Sequence, residues 1–390
     1  ALELTLQQRM DLPTEQVALL QSGGRTLAAD VFADRDQPPF DRVMMDGIAI
    51  ASDSFQNGQR DFRIEGVQAA GREQLRLQNA EAACMEVMTG AMLPRNTDTV
   101  IPYEHCDIFD GMARVKDYAV SPGKNIHKRS SDGKAGDLLL KNGTHITATA
   151  IATLASVGYG QVPVIKLPRV AVCSTGDELM DINEQPAVHQ IRRSNSYMLA
   201  AALADENINA GMHHLADDEK LLGSAISSLK KDHDVLIFSG AVSKGKFDFL
   251  PDVLRLLGMR VIFHNVAQKP GKPFLLGKFP DGPLVFGFPG NPVSTFVCYQ
   301  IYFKSWLSAS LKKDLQKEHA VFDTDLDLKT TLAQHLLVSL RNDDGVLKAA
   351  PVAYNNSGDL VNLAYANGLA LFPAEKSEVK KGEVVQIIWF

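Results

Sequence analysis

The 390-residue chain is predicted to be multidomain, α/β plus β, with a central doubly wound α/β domain between two β-rich portions. Three observations predict this. From Pro168 to about Leu311, short β-branched apolar runs alternate with helical periods, the rhythm of strands and helices wound in turn onto a parallel sheet. The polar and glycine-rich segments of that stretch follow its strands, where open α/β sheets bind ligands. On either side the apolar runs are short and bounded by turn residues, which favours strands. The length itself suggests two to three domains, or more if some are small.

Residues up to about Ser22 carry an amphipathic helical period that Gly23-Gly24-Arg25 closes. A proline-rich extended segment, Asp36 to Arg42, leads into Val43-Met44-Met45-Asp46-Gly47. From Asp61 to about Val120 the short strands suggest a small β-rich insert, and the turn-rich run Pro122 to Asp132 precedes a helix from Thr147 to Val157. The central domain reads as strand Arg169 to Cys173, helix Asn195 to Asn207, strand Met212 to Leu215, helix Glu219 to Lys231 and strand Val235 to Phe238. Helix Phe247 to Leu257, strand Val261 to Val266 and a long helix Val293 to Leu311 complete it. Alternating strands then return, ending in Glu383 to Phe390, as a small barrel-like β domain. The expected division is 1–44 with 122–167, an insert 45–121, an α/β domain 168–312 and a C-terminal β domain 313–390.

An apolar fraction of 45%, a charged fraction of 22% and a net charge of −6 describe a soluble globular protein. They offer no basic field for nucleic acid or an anionic membrane. Any anion site must be local. Cys84, Cys106, Cys173 and Cys298 have no CxxC spacing, which argues against a zinc ribbon or a disulfide framework. No run reaches the roughly 18 apolar residues of a membrane span, and no signal pattern opens the sequence, so the cytoplasm is the expected location.

The densest chemistry lies in two stiff loops, Lys269-Pro270-Gly271-Lys272-Pro273 and Phe288-Pro289-Gly290-Asn291-Pro292-Val293-Ser294. Proline fixes φ and glycine permits sharp turns and close backbone approach. Lys269 and Lys272 therefore hold two ammonium groups near one point at small entropic cost, which suits a compact oxyanion or a phosphate. A solvated surface turn is the plain alternative. Three further loops share the expected rim: Ser174-Thr175-Gly176-Asp177-Glu178, Asp217-Asp218, and Ser239-Gly240-Ala241 through Ser243 and Lys246 to Asp248. Their hydroxyls and glycines suit a phosphate. Glu178 and Asp248, facing two lysines, suit a Mg²⁺-bridged phosphoester, because Mg²⁺ takes only one or two protein carboxylates. Each acid also fits an ordinary first-turn position at a helix dipole. No Gly-x-Ser-x-Gly or Gly-x-x-x-x-Gly-Lys-Ser/Thr motif is present, so a serine hydrolase and a P-loop NTPase are disfavoured. His213 and His214 point to opposite faces of a strand and do not form a metal pair.

Met45-Asp46-Gly47, Met88-Thr89-Gly90-Ala91, Ser174 through Leu179, Lys269 through Pro273 and Pro289 through Ser294 occur in the order seen in molybdopterin molybdenumtransferases. The chain resembles that family, which includes MoeA and the gephyrin E domain, from Arg25 to the terminal strands. The resemblance implies that the α/β domain binds molybdopterin. It implies an enzyme that inserts molybdate into adenylated molybdopterin and releases AMP with Mg²⁺, the last step in making the molybdenum cofactor. By the same resemblance Glu178 and Asp248 would hold Mg²⁺, and Lys269 and Lys272, with Ser294, would bind molybdate. Asp46, Thr89, Asp132 and Asp217 would also serve catalysis, and Ser174, Thr175, Gly176, Gly240, Ser243, Pro289, Asn291 and Ser294 would bind the molybdopterin substrate. The family implies a homodimer with a shared active site and docking to the adenylyltransferase or to target molybdoenzymes. The chain departs from the usual residues at Val43, Met44, Ile48, Ser130, Ser131, Arg193, Ala241 and Lys246, and Arg341 is out of register with a C-terminal arginine of the family. The changes at Ser131, Arg193 and Lys246 make the cleft more positive or less acidic. These departures motivate one alternative, a non-catalytic molybdopterin-binding scaffold. The related single-domain adenylyltransferase is disfavoured by the long flanking portions.

Overall fold

The computed structural model describes residues 1–242, 248–313, 317–328, 331–353 and 355–390. At its centre Gly211–Leu215, Val170–Thr175, Val235–Ser239 and Leu284–Phe288 lie side by side as parallel strands. The hairpin Arg260–His264 and Leu275–Lys278 extends this sheet to six strands. Successive residues of one strand feed opposite faces. Val170 and Val172 pack into one apolar cluster with Leu199, Leu203 and Trp306, while Ala171 and Cys173 join another with Leu222, Ile226 and Leu254. Helices Ser194–Ala204 and Pro292–Cys298 thus cover one face, and Glu219–Asp232 and Leu250–Leu256 the other. The strand expected over Val261 to Val266 forms as Arg260–His264 and runs in the same sense as the four parallel strands, separated from them by Leu275–Lys278, which alone runs the other way. The lysine turn after Arg260–His264 sends the chain straight back into Leu275–Lys278.

Helix Glu219–Asp232 starts where the Asp218 carboxylate accepts the amides of Lys220 and Leu221 at 2.9 Å each, and it ends with Lys230 and Lys231 against its negative pole. The long helix after Pro292 runs to Ser310 and contains a π-helical turn at Tyr299–Phe303.

The expected N-terminal helix is not formed beyond Leu2–Leu6. Pro13 disfavours helical geometry at Leu12, and Thr14–Ala18 instead pairs as a strand with Gln161–Ile165. At the C-terminal end Ala333–Asp343, Val346–Pro351, Glu318–Phe322, Val384–Trp389 and Gly368–Phe372 close into a five-stranded barrel, because the first and last of these also pair. Phe322, Val338 and Phe372 fill it, while Leu337 and Leu369 turn outward into the α/β core. The short strand Gln268–Lys269 joins the barrel at Ala333–Gln334.

These parts form one compact unit, residues 1–28, 143–147 and 162–390. The other unit is 29–142 with 148–161. It holds a six-stranded sheet in the order Thr99–Pro102, Gly47–Ile50, Ala83–Val87, Asp61–Gln68, Met112–Val115 and Cys106–Phe109. Met85, Val87 and Val100 pack one face of this sheet and Ile48, Phe62 and Ile101 the other. All four cysteines are buried thiols. Among the described residues no helix is long and apolar enough to cross a membrane.

Candidate functional site

A cleft of about 850 Å³ opens beyond the carboxyl ends of the parallel strands. Ser174 and Thr175, 2% and 4% exposed, end one strand and Ser239, 3% exposed, ends its neighbour. Ser174 Oγ lies 3.2 Å from His214 Nδ1. At Gly176 φ is +134°, and a Cβ there would sit 2.7 Å from both Glu178 carboxylate oxygens. Glycine is therefore what lets Glu178 fold back over the strand end. Ala241 holds φ at +52°, a left-handed conformation that costs an alanine about 1 kcal/mol.

Asn195, at the start of helix Ser194–Ala204, ties the cleft together. Its amide nitrogen lies 2.9 Å from Ser239 Oγ, 2.6 Å from the Gly290 carbonyl and 3.3 Å from Thr295 Oγ1. Thr295 Oγ1 in turn donates to the Pro289 carbonyl at 2.6 Å, and Asn291 Nδ2 to Ser357 Oγ at 2.8 Å. The Pro-Gly-Asn-Pro loop is thus pinned from both sides. Proline supplies no amide with which to pin itself.

One wall is acidic. The Asp217 amide donates to Asp177 Oδ1 at 3.2 Å. Burial first, then the charges of Asp177, Glu178 and Asp248, push the Asp217 carboxyl above its ordinary value. Glu178, Asp217 and Asp248 all line the cleft. Arg192, also in the lining, donates to the carbonyls of Ile182 and Glu184 at 3.1 Å each, and Arg193 is ion-paired with Asp181. Asn183's amide, and Arg193 beside it, hold the Asp181 carboxyl below the usual range. Among the described residues no group of three or more His, Cys, Asp or Glu side chains is arranged to hold a metal by itself. The donor set nevertheless suits a hard divalent cation. Carboxylate oxygens are hard donors, and their charges add to the burial that raises Asp217.

The structure gathers Ser174, Thr175, Gly176, Glu178, Asp217, Gly240, Asp248, Pro289 and Asn291 around this cleft. Ser243 and Lys246 lie outside the described residues. Lys269 and Lys272 are exposed and do not line the cleft, and their turn reaches it through Pro273. Ser294, 4% exposed, sits behind the lining. Arg341 pairs with Asp323 at 3.1 Å on the barrel. Asp46, Thr89 and Asp132 belong to the other compact unit. There Asp46 Oδ1 accepts the Thr89 amide at 2.6 Å and its hydroxyl at 2.8 Å, which lowers the Asp46 pKa. His127 Nε2 lies 2.8 Å from Asp132 Oδ1 and Arg42 Nη2 lies 2.8 Å from His127 Nδ1. Arginine only donates, so Nδ1 accepts and Nε2 carries the proton to Asp132. The bond from His127 is the first cause of a lowered Asp132 pKa.

Asn195, Ser196 and Arg192 are cleft residues that the sequence reading did not assign. The dipeptide Ser194-Asn195, small and polar at a helix start just after a strand, was the available signal.

Three family descriptions match the chain in order. They are "MoeA N-terminal region (domain I and II)" over residues 1–158, "Probable molybdopterin binding domain" over 171–309 and "MoeA C-terminal region (domain IV)" over 319–390. A molybdopterin molybdenumtransferase of Synechocystis sp. is 39% identical over 366 residues, covering 93% of this chain and 91% of that protein. One from Staphylococcus aureus is 32% identical over 399 residues, covering 100% and 94%. Among solved structures, a molybdopterin biosynthesis MoeA protein of Pyrococcus horikoshii superimposes with a TM-score of 0.84 at 25% identity, covering 100% of this chain and 98% of that one. Matched along its whole length in sequence and in fold, the chain belongs to the MoeA family of molybdopterin molybdenumtransferases.

Proposed function

We propose that this chain is a molybdenum insertase, which transfers molybdate into adenylated molybdopterin and releases AMP in a Mg²⁺-dependent reaction, the final step of molybdenum cofactor synthesis. The observation that carries this reading is the acidic wall at the strand ends, where Asp217 is raised by burial and by Asp177, Glu178 and Asp248. Such a wall repels a bare phosphate and accepts one only with a bridging cation. Glu178 and Asp248 would hold that Mg²⁺. When bound it supplies neutralisation of the charge that builds on the phosphate as AMP leaves. The chain's own residues then orient the substrate. Ser174, Thr175 and the Gly176 and Gly240 backbone would line the phosphate, and the pinned Pro289-Gly290-Asn291 loop, whose Gly290 lies against Gly240, holds that part of the cleft in shape. Lys269 and Lys272 supply two cations on a stiff turn for the compact molybdate anion.

Asp46, Thr89 and Asp132 enter this reading through a second copy of the chain, whose unit 29–142 would complete the cleft of its partner. The adenylyltransferase that supplies the substrate, or the apoenzymes that take the product, would be the proteins that dock.

The test is AMP release from the purified protein given adenylated molybdopterin, with molybdate and Mg²⁺ each added or withheld. Release that requires both establishes the reaction. An adenylate that binds and stays intact makes the chain a scaffold of the same fold.

A further inference from the structure

We propose that Gln268 and Tyr302 are positioning residues, a buried hydrogen-bonded pair that sets the lysine turn 269–273 at the geometry needed to bind its anion. The inference rests on the reading of Lys269 and Lys272 as molybdate ligands. Pro270 and Pro273 bring the turn no amide hydrogen; its backbone is closed at Lys272, whose carbonyl accepts the amides of Val266 and Phe274 at 2.9 Å each, and the Pro270 carbonyl lies outside that closure. Both lysine side chains are exposed, so their placement depends on the backbone beneath them.

That backbone is held from below. Gln268 is 1% exposed and its Nε2 donates to the Pro270 carbonyl at 2.9 Å. Tyr302, 4% exposed, donates its hydroxyl to Gln268 Oε1. One side chain thus grips the middle of the turn and a second fixes the first. Cys298 Sγ closes the arrangement, 3.8 Å from Gln268 Nε2 and 3.7 Å from the Gly271 carbonyl. Tyr302 lies on the π-helical turn Tyr299–Phe303 of the long helix, a local irregularity that recurs at functional sites. Its ring packs 4.6 Å from that of Phe274, and burial pushes its phenol well above the usual range, so it remains a donor.

Apolar residues of similar shape fill such a space without needing partners, and a buried polar pair adds little net stability over them. What the pair adds is direction. A glutamine amide offers donors and an acceptor in one plane, so a single side chain fixes both the height and the orientation of the Pro270 carbonyl.

The experiment is steady-state AMP release with molybdate varied, on Tyr302→Phe and Gln268→Met, each shown by thermal unfolding to be folded. Both keep the volume and remove the bond. The expected result is a molybdate KM raised about tenfold with kcat within about twofold, the pattern of lost uniform binding. Lys272→Ala should also raise that KM, and adding Tyr302→Phe to it should change KM by less than about twofold, because a residue acting through the lysine turn is not additive with it. An unchanged molybdate KM in both folded variants overturns the proposal, as does a fully additive double variant. If Lys272→Ala and Lys269→Ala both leave KM unmoved, the lysine reading itself fails and the positioning role falls with it. Should one variant not fold, the other carries the same comparison.

Discussion

Replacing Asp217 by Asn removes one of four carboxylates that crowd one wall of the cleft, and its consequences follow from the direction of the Asp217 shift. The folded protein binds that proton more tightly than the unfolded chain does. The resulting stabilisation is fully present below the ordinary carboxyl value of 3.8 and is lost as pH rises through the higher folded value. At neutral pH the ionised group therefore costs stability. Asp217→Asn is expected to raise the thermal midpoint by about 1–2 °C at pH 7 without divalent ions, the scale of a modest electrostatic change. The gain should shrink on acidification. Added Mg²⁺ should stabilise the native protein more than the variant; a variant that melts lower, or a native protein indifferent to Mg²⁺, contradicts the acidic-wall reading. Glu178 and Asp248 were legible in the sequence because each follows a strand in a run of Gly and Ser. Asn195, Gln268 and Tyr302 were not, because each works on a distant segment. Asn195 reaches Gly290 95 positions on, and Tyr302 reaches Gln268 34 positions back. Around Gln268 and Tyr302 nothing local marks them, and for Asn195 the only local sign is its place beside Ser194 at a helix start.

At the scale of elements the lysine turn is where sequence and packing agree most closely. Gly271 has φ +92°, and a Cβ would lie 2.6 Å from Cys298 Sγ and 2.8 Å from Gln268 Nε2. Gly271→Ala thus adds a clash with buried atoms to the left-handed backbone penalty, and is expected to cost about 2–4 kcal/mol in urea unfolding. The same change at Gly345, φ +85° with nothing within 4 Å of the added atom, should cost only the backbone penalty, about 1 kcal/mol. Equal costs at the two sites would mean that the turn is loosely packed on the helix. The alternation of central strands and helices was readable because Val170–Thr175, Val235–Ser239 and Leu284–Phe288 are buried on both faces and read as nearly continuous apolar runs. One element misled for an identifiable reason. The amphipathic period before Ser22 spans Pro13 and is spent partly on a strand whose partner, Gln161–Ile165, lies far along the chain.

For the whole molecule, the proposed site is divided by the chain's own organisation. Glu178, Asp217, Asp248, Lys269 and Lys272 belong to the unit 1–28, 143–147 and 162–390, and Asp46, Thr89 and Asp132 to the unit 29–142 and 148–161. The Asp46 carboxylate is already committed to the Thr89 amide and hydroxyl, so Asp46→Ala removes a locally ordered feature of the second unit without touching the acidic wall of the first. Asp248→Ala does the reverse. If each cleft is completed by a second copy, a dimer of one Asp46→Ala chain with one Asp248→Ala chain has one cleft built from two intact contributions and one built from two damaged ones. Random reassociation of the two inactive variants, mixed equally, yields half mixed dimers, each with one working site of two. AMP release should then recover to roughly a quarter of the native rate, the arithmetic of a two-fold assembly with sites shared across it. Sites completed within a single chain predict no recovery, since every site would keep one defect. Recovery that tracks the fraction of mixed dimers, and disappears when the variants are kept apart, would place Asp46 in the cleft of its partner.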